Sequence, residues 1–158
     1  MVKSPVDENN RRISENRRAK FEYELLDTLE CGIALKGSEV KTLRSGKVAL
    51  EDSFARIQQG ELWLINCDIP HYPQAAHLNH EPRRERKLLI HKRERDKFVA
   101  KANQSGFTLV PLSIYFKNGL VKVSIAVGKG KKTHDKRETL KKQEAQREIR
   151  KALSPKRG

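Results

Sequence analysis

Phe107-Thr108-Leu109-Val110-Pro111-Leu112-Ser113-Ile114-Tyr115-Phe116-Lys117 and Leu120-Val121-Lys122-Val123-Ser124-Ile125-Ala126-Val127, separated by Asn118-Gly119, decide the fold. Both runs are rich in β-branched and aromatic residues, which suit a pleated, half-buried surface. Asn-Gly accepts positive φ at both central positions of a type I′ turn, so the runs form an antiparallel hairpin. Val121, Val123, Ile125 and Val127 fall on one side of the second run; Lys122, Ser124 and Ala126 fall on the other. That is the period of a strand with one face on a core.

The same reading extends toward the N-terminus. Residues 53–58 and 62–66 flank Gln59-Gly60-Glu61 and form a second hairpin. Phe54 and Trp63 within it read as core. Phe21-Glu22-Tyr23-Glu24-Leu25-Leu26 alternates at period two, and 29–35 continues extended, with Gly32 as a bulge or close approach. After a turn at Lys36-Gly37, Ser38 is the N-cap of a short helix carrying Val40 and Leu43 on one face, with Gly46 as its C′ residue. Residues 70–86 hold three prolines, three histidines and several arginines and read as a loop, long for a compact domain. A helix follows around 91–104, with Phe98, Val99 and Ala102 on one stripe and Gly106 at its end. Five or six antiparallel strands with short helices in about 110 residues predict a small closed barrel. The fold class is mainly β (α+β), of the oligonucleotide-binding-like type, with about six strands and a basic C-terminal tail.

Charge locates the function. The 158 residues carry 34 Lys/Arg and 20 Asp/Glu, a net +14. From 129 to 158 there are twelve basic and four acidic residues, so a fifth of the chain holds more than half of the net charge. Residues 21–128 are close to balance, with 16 basic and 13 acidic. Clustered cations point to a polyanion, with nucleic acid favoured over an anionic membrane, since no strongly amphipathic helix or lipidation motif accompanies them. The predicted division is a flexible basic arm over 1–15, an RNA-binding barrel over 16–128 and a basic tail over 129–158. In the tail, Asp135 followed by Glu138 resembles a capping box, so 136–153 can become a helix. Its apolar stripe (Leu140, Ile149, Leu153) is thin, so it is expected to be disordered alone and helical on a partner. Gly128 and Gly130 let backbone N–H groups approach phosphate, with lysines adding point charge.

Other chemistries find little support. No apolar run approaches the roughly 18 residues that span a bilayer, and the first residues lack a signal-peptide apolar core, so the cytoplasm is the expected location. Cys31 and Cys67 stand apart and read as reduced, half-buried thiols. His71, His77 and His80 have the wrong spacing and partners for a convincing metal set. No nucleophile–base pair is evident, and a two-carboxylate site from Glu39 and Asp52 is only conceivable. Neither cofactor nor metal is expected, nor catalysis.

Four stretches carry a resemblance: Asn16-Arg17-Arg18-Ala19-Lys20; Gly37-Ser38-Glu39-Val40-Lys41-Thr42-Leu43-Arg44-Ser45-Gly46-Lys47; Arg86-Lys87-Leu88-Leu89; and Gly128-Lys129-Gly130-Lys131-Lys132-Thr133-His134-Asp135-Lys136-Arg137. On these the chain resembles small protein B, the SsrA-binding protein family of bacteria, from Asn16 to about Arg150. The resemblance implies a non-catalytic adaptor of trans-translation. It would bind the tRNA-like domain of transfer-messenger RNA (tmRNA) and deliver it, alanine-charged and with elongation factor Tu, to the A site of stalled 70S ribosomes. The implied tmRNA contacts are Asn16, Arg17, Glu30, Leu89, Lys122, Gly130, Lys131 and Lys132, with Lys122 on phosphate. His134, Asp135, Lys136, Arg137, Lys141, Lys142 and Ile149 would meet the decoding centre and the empty mRNA channel of the small subunit, beside 16S rRNA. Two positions depart from the family pattern. Phe21 stands where His is common, and Ala145 where an aromatic is common. Composition alone fits a structural ribosomal protein or general RNA chaperone equally well, and an RNA-processing enzyme is a third reading.

If barrel and linker neutralise four to six phosphates, log K against log[salt] has a slope of about −3 to −5, a value that salt-titrated filter binding measures.

Overall fold

Asn118 (φ 51°) and Gly119 (φ 79°) both take positive φ, the backbone the type I′ turn demands. The computed structural model describes residues 7–103, 106–131 and 133–153. Its elements, in chain order, are β1 (Arg12–Glu15), α1 (Ala19–Glu22), β2 (Tyr23–Ile33), α2 (Gly37–Arg44), β3 (Phe54–Gln58), β4 (Glu61–Ile65), a 3-10 stretch (Pro73–Leu78), β5 (Arg86–Leu89), α3 (Lys92–Ala102), β6 (Phe107–Lys117), β7 (Leu120–Gly130) and α4 (Thr133–Leu153).

The strand order is β1-β6-β3-β4-β5-β2-β7, and β7 also pairs with β6. Six antiparallel strands therefore close a ring, as the sequence predicts, and β1 is added outside β6. Closure pairs each ring strand on both sides, and β1 takes the stretch of the β6 edge, Ser113 to Tyr115, that β3 leaves open. Leu43, Leu62, Leu64, Ile114, Val123 and Ile125 fill its interior, joined by Phe98 from α3. Phe54 is 38% exposed and Trp63 is half-buried, so neither is the core residue that its size suggests.

Two elements differ from the sequence reading. Phe21 and Glu22 belong to α1, so the alternating run enters the sheet only at Tyr23. The sequence pattern also misses β1, which pairs Arg12 with Tyr115 and Ser14 with Ile114 and carries the sheet back to Arg12. Four polar-rich residues give no periodic signal, and a partner strand supplies what their own pattern lacks. The β6 side of this junction is irregular. The β6–β7 register shifts between Pro111 and Ser113, where proline has no N–H to give the ladder. Asn16 takes up the freed carbonyls, its backbone N–H donating to Leu112 O at 2.7 Å and its Nδ2 to Pro111 O at 3.0 Å.

The helix α2 is held from below by a buried charge cluster. Ser38 is not its N-cap; Lys36 is. Ser38 Oγ instead donates to His80 Nδ1 at 2.8 Å, and His80 Nε2–H donates to Ile69 O at 2.8 Å. Glu39, fully buried, accepts from the Lys36 N–H at 2.7 Å, from Arg84 at 2.5 Å and from Arg86 Nε. Arg86, equally buried, also donates to Cys67 O at 2.7 Å and Pro82 O at 2.9 Å. The 70–86 loop is thus tied to α2 at its far end. Nearer its start, Asn79 closes it by exchanging two hydrogen bonds with the Tyr72 backbone, 2.9 and 2.7 Å.

Burial pushes the Glu39 carboxyl up, but hydrogen bonds from Arg84, the Lys36 N–H and Arg86 outweigh this and hold it below its ordinary value. A depressed carboxylate stabilises the fold above its unfolded pKa, and that share is lost as pH falls through the folded one. Glu39→Gln leaves Arg86 buried and unpaired, which costs about 3 kcal/mol. Urea denaturation will show this gap at neutral pH, and the gap will narrow as pH drops below the 4.5 of a free carboxyl.

Candidate nucleic-acid interface

The ladder β2–β7–β6 displays one set of side chains outward. Glu30 faces Ser124, Gly32 faces Lys122, and Lys122 faces Tyr115. Alternation turns Cys31 and Val123 into the core and leaves Glu30, Lys122 and Tyr115 on a common outer face. Beside them β5 ends at Leu89, opposite Gly32 and half exposed. A Cβ on Gly32 would stand 3.3 Å from Leu89 Cβ, so glycine here is the close approach that the sequence suggests. Glu30, Gly32, Leu89 and Lys122, together with Leu29, Ile90, His91 and Glu94, line an open cleft of about 510 Å³.

Glu30 is fixed from across the ladder. Tyr115 Oη–H donates to its Oε2, and Lys117 Nζ donates to Oε1 at 3.1 Å. The Tyr115 hydrogen bond and then that of Lys117 hold the Glu30 carboxyl below its usual range, while burial and the neighbouring carboxylate raise the Tyr115 hydroxyl. Glu30 is therefore ionised and acts only as an acceptor. Of the predicted contacts, the structure brings Glu30, Leu89 and Lys122 into this one place. Tyr115, Lys117, His91 and Glu94 join them. Sequence reasoning missed all four, because strand register and the β5–α3 turn bring them in, and spacing along the chain does not show either.

The other predicted contacts gather at the opposite end of the ladder. Gly130 pairs with Tyr23, eight residues along β7 from Lys122, or roughly 27 Å of strand. Lys131 extends β7 toward α1, donating from its N–H to Glu22 O at 2.9 Å and from Nζ to Lys20 O at 2.8 Å. Arg17 is exposed nearby, whereas Asn16 is 6% exposed, and its Oδ1 has no partner. Asn16 is held by the β6 irregularity, so its side chain braces the junction that presents Arg17 and Arg18. Gly128 also has a packing reason, since a Cβ there would stand 3.1 Å from Tyr23 Cβ. Lys132 lies outside the described residues, as do the side chains of His134, Asp135 and Lys136. Arg137, Lys141, Lys142 and Ile149 are exposed on α4, which packs near α1.

The remaining candidates fall away on contact. Glu39 is engaged by arginines, leaving no carboxylate pair with Asp52, and His80 is committed to Ser38 and Ile69. Among the described residues no cluster of three metal-ligating side chains occurs. Burial pushes the Cys31 and Cys67 thiols up to about 12, so both stay protonated. No described helix is long and apolar enough to cross a membrane.

A closed six-stranded antiparallel ring with short helices on its flanks and a charged cleft on its outer face defines an oligonucleotide-binding-like barrel. A family model described as SmpB protein matches residues 13–155. The chain is 52% identical over 151 residues to the SsrA-binding protein of Trichormus variabilis, covering 95% of this chain and 97% of that one. It is 54% identical over 142 residues to the SsrA-binding protein of Thermosynechococcus vestitus, covering 89% and 93%. A solved chain described as "tmRNA-SmpB: a journey to the center of the bacterial ribosome" matches with a TM-score of 0.66 and 50% identity over 80% of this chain and 93% of that one. The chain belongs to the SmpB protein family.

Tyr115→Phe removes the stronger donor to Glu30. A carbon-detected NMR titration will find the Glu30 carboxyl moved up toward the ordinary 4.5.

Proposed function

We propose that this protein is a non-catalytic RNA-binding adaptor of trans-translation, working in the cytoplasm. The observation that carries this is the convergence of Glu30, Leu89 and Lys122 on one cleft, in a chain half identical along nearly its whole length to SsrA-binding proteins. The barrel grips the tRNA-like domain of tmRNA. Lys122 supplies positive charge, Leu89 supplies apolar contact and Glu30 accepts hydrogen bonds. Gly130, Lys131 and Lys132 form a second contact where the tail leaves the barrel, with Arg17 beside it and Asn16 bracing it. Elongation factor Tu accompanies the complex through the charged RNA.

The tail, beginning at 129, senses an empty message channel. Its logic is competition, since message and a cationic helix seek the same anionic groove and only one fits. His134, Asp135, Lys136 and Arg137 meet the decoding centre of the stalled 70S ribosome, and Lys141, Lys142 and Ile149 lie further into the channel. The +8 carried by 129–158 supports this division of labour.

A truncation that ends after Lys131 keeps β7 and its bonds to α1. It will bind tmRNA within about threefold of the full chain, on the scale of a few peripheral phosphate contacts, and will lose peptide tagging in cell-free translation of a message without a stop codon. Tagging by the truncated protein would overturn the sensing role.

A further inference from the structure

Trp63 is the one tryptophan of the chain, and its size predicts a core position that the fold does not give it. Alternation along β4 explains the difference. Leu62 and Leu64 are buried in the ring, so the residue between them points outward. On β3, Ala55 points in while Phe54 and Arg56 point out. Register then sets three outward side chains in one row across three strands, Arg56 opposite Trp63 and Trp63 opposite Lys87. Phe54, opposite Ile65, is the diagonal neighbour of Trp63, a spacing of roughly 7 Å. Two aromatic rings and two cations therefore share the outer face of β3, β4 and β5. Two residues along β5, Leu89 stands on the same side as Lys87, so this face runs on to the cleft at Gly32. At its other end Phe54 lines a small recess with Arg18 and Tyr23.

Carboxylates edge this face as well. Glu85 pairs with Arg56 at 3.0 Å, and Glu61 lies 3.8 Å from Lys87 and 3.4 Å from Arg95. Exposed ion pairs of this kind contribute little, so a phosphate exchanges for a carboxylate at small cost. In a duplex the base faces are hidden in the helix stack; unpaired bases offer them. An aromatic ring edged by cations takes any unpaired base, because every base has a π-face and the cations meet its phosphates. We propose that the outer face of β3, β4 and β5 is a stacking platform for unpaired nucleotides of tmRNA, one base lying on Trp63 with its phosphates at Arg56 and Lys87, and the next base toward Phe54. Continuity assigns the occupant, since an RNA held against Leu89 meets Trp63 on the next strand. This rests on the tmRNA reading above and adds to it a face to which none of the contacts named there belongs.

A lone tryptophan makes the test direct. A transcript of the tRNA-like domain of tmRNA, titrated into the full-length protein, will quench the Trp63 emission and shield it from acrylamide, and filter binding of the same samples will give the occupancy. Trp63→Leu will bind the transcript about tenfold more weakly, the scale of one base–aromatic stack. Trp63→Phe keeps a ring and will stay within about threefold of wild type. The emission is read on the unsubstituted protein, so it decides the matter even where a variant fails to fold. If the transcript binds while the emission and acrylamide access of Trp63 stay as they were, or if a folded Trp63→Leu binds as wild type does, the platform is wrong. If wild type retains no transcript on the filter, the tmRNA reading itself fails and takes this one with it.

Discussion

The register of β7 is the constraint from which the rest follows. This strand is paired on both edges, to β2 and to β6, and Asn118-Gly119 fixes where that pairing starts. A slip of one residue would turn Lys122 and Ser124 into the core and Val123 and Ile125 out to water. The ring would then lose its packing, and the outer face would lose the diagonal of Glu30 and Lys122. One two-residue turn therefore sets both the interior of the barrel and the chemistry of its surface.

Much of this was legible in the sequence because it rests on local signals. The hairpin announced itself through β-branched residues and Asn-Gly. The second hairpin did so through Gln59-Gly60, where both residues take positive φ, and the end of α2 through Gly46, whereas α3 stops at Ala102, short of Gly106. The closed ring followed from strand count and the need to cover edges. What could not be read was non-local. The strand β1 exists because β6 offers it a free edge segment, and Asn16 is buried because an irregularity around Pro111 leaves carbonyls in want of donors. The size of Phe54 suggested core, yet its place on β3 leaves it partly outside.

The same distinction separates the halves of the candidate site. Glu30, Leu89 and Lys122 came from resemblance, and the fold gives them a common location. Tyr115 and Lys117 carry no motif, and they matter because β6 lies two strands away from β2 on the same face. The Glu39 cluster was hidden for a similar reason. In the sequence Glu39 reads as half of a conceivable two-carboxylate site with Asp52, and Arg84 and Arg86 as loop cations. Only the folded chain shows that one carboxylate binds both and so ties the 70–86 loop to α2.

The strand that carries the cleft at one end runs on to Gly130 at the other, and Lys131 is pinned there to Lys20 and Glu22. A rod paired along both sides bends little, so the interval between these two ends stays constant whatever either end is holding. Any assembly that occupies both must present its own two docking points at that interval. The barrel thereby sets the separation of its two ends by the length of one paired strand.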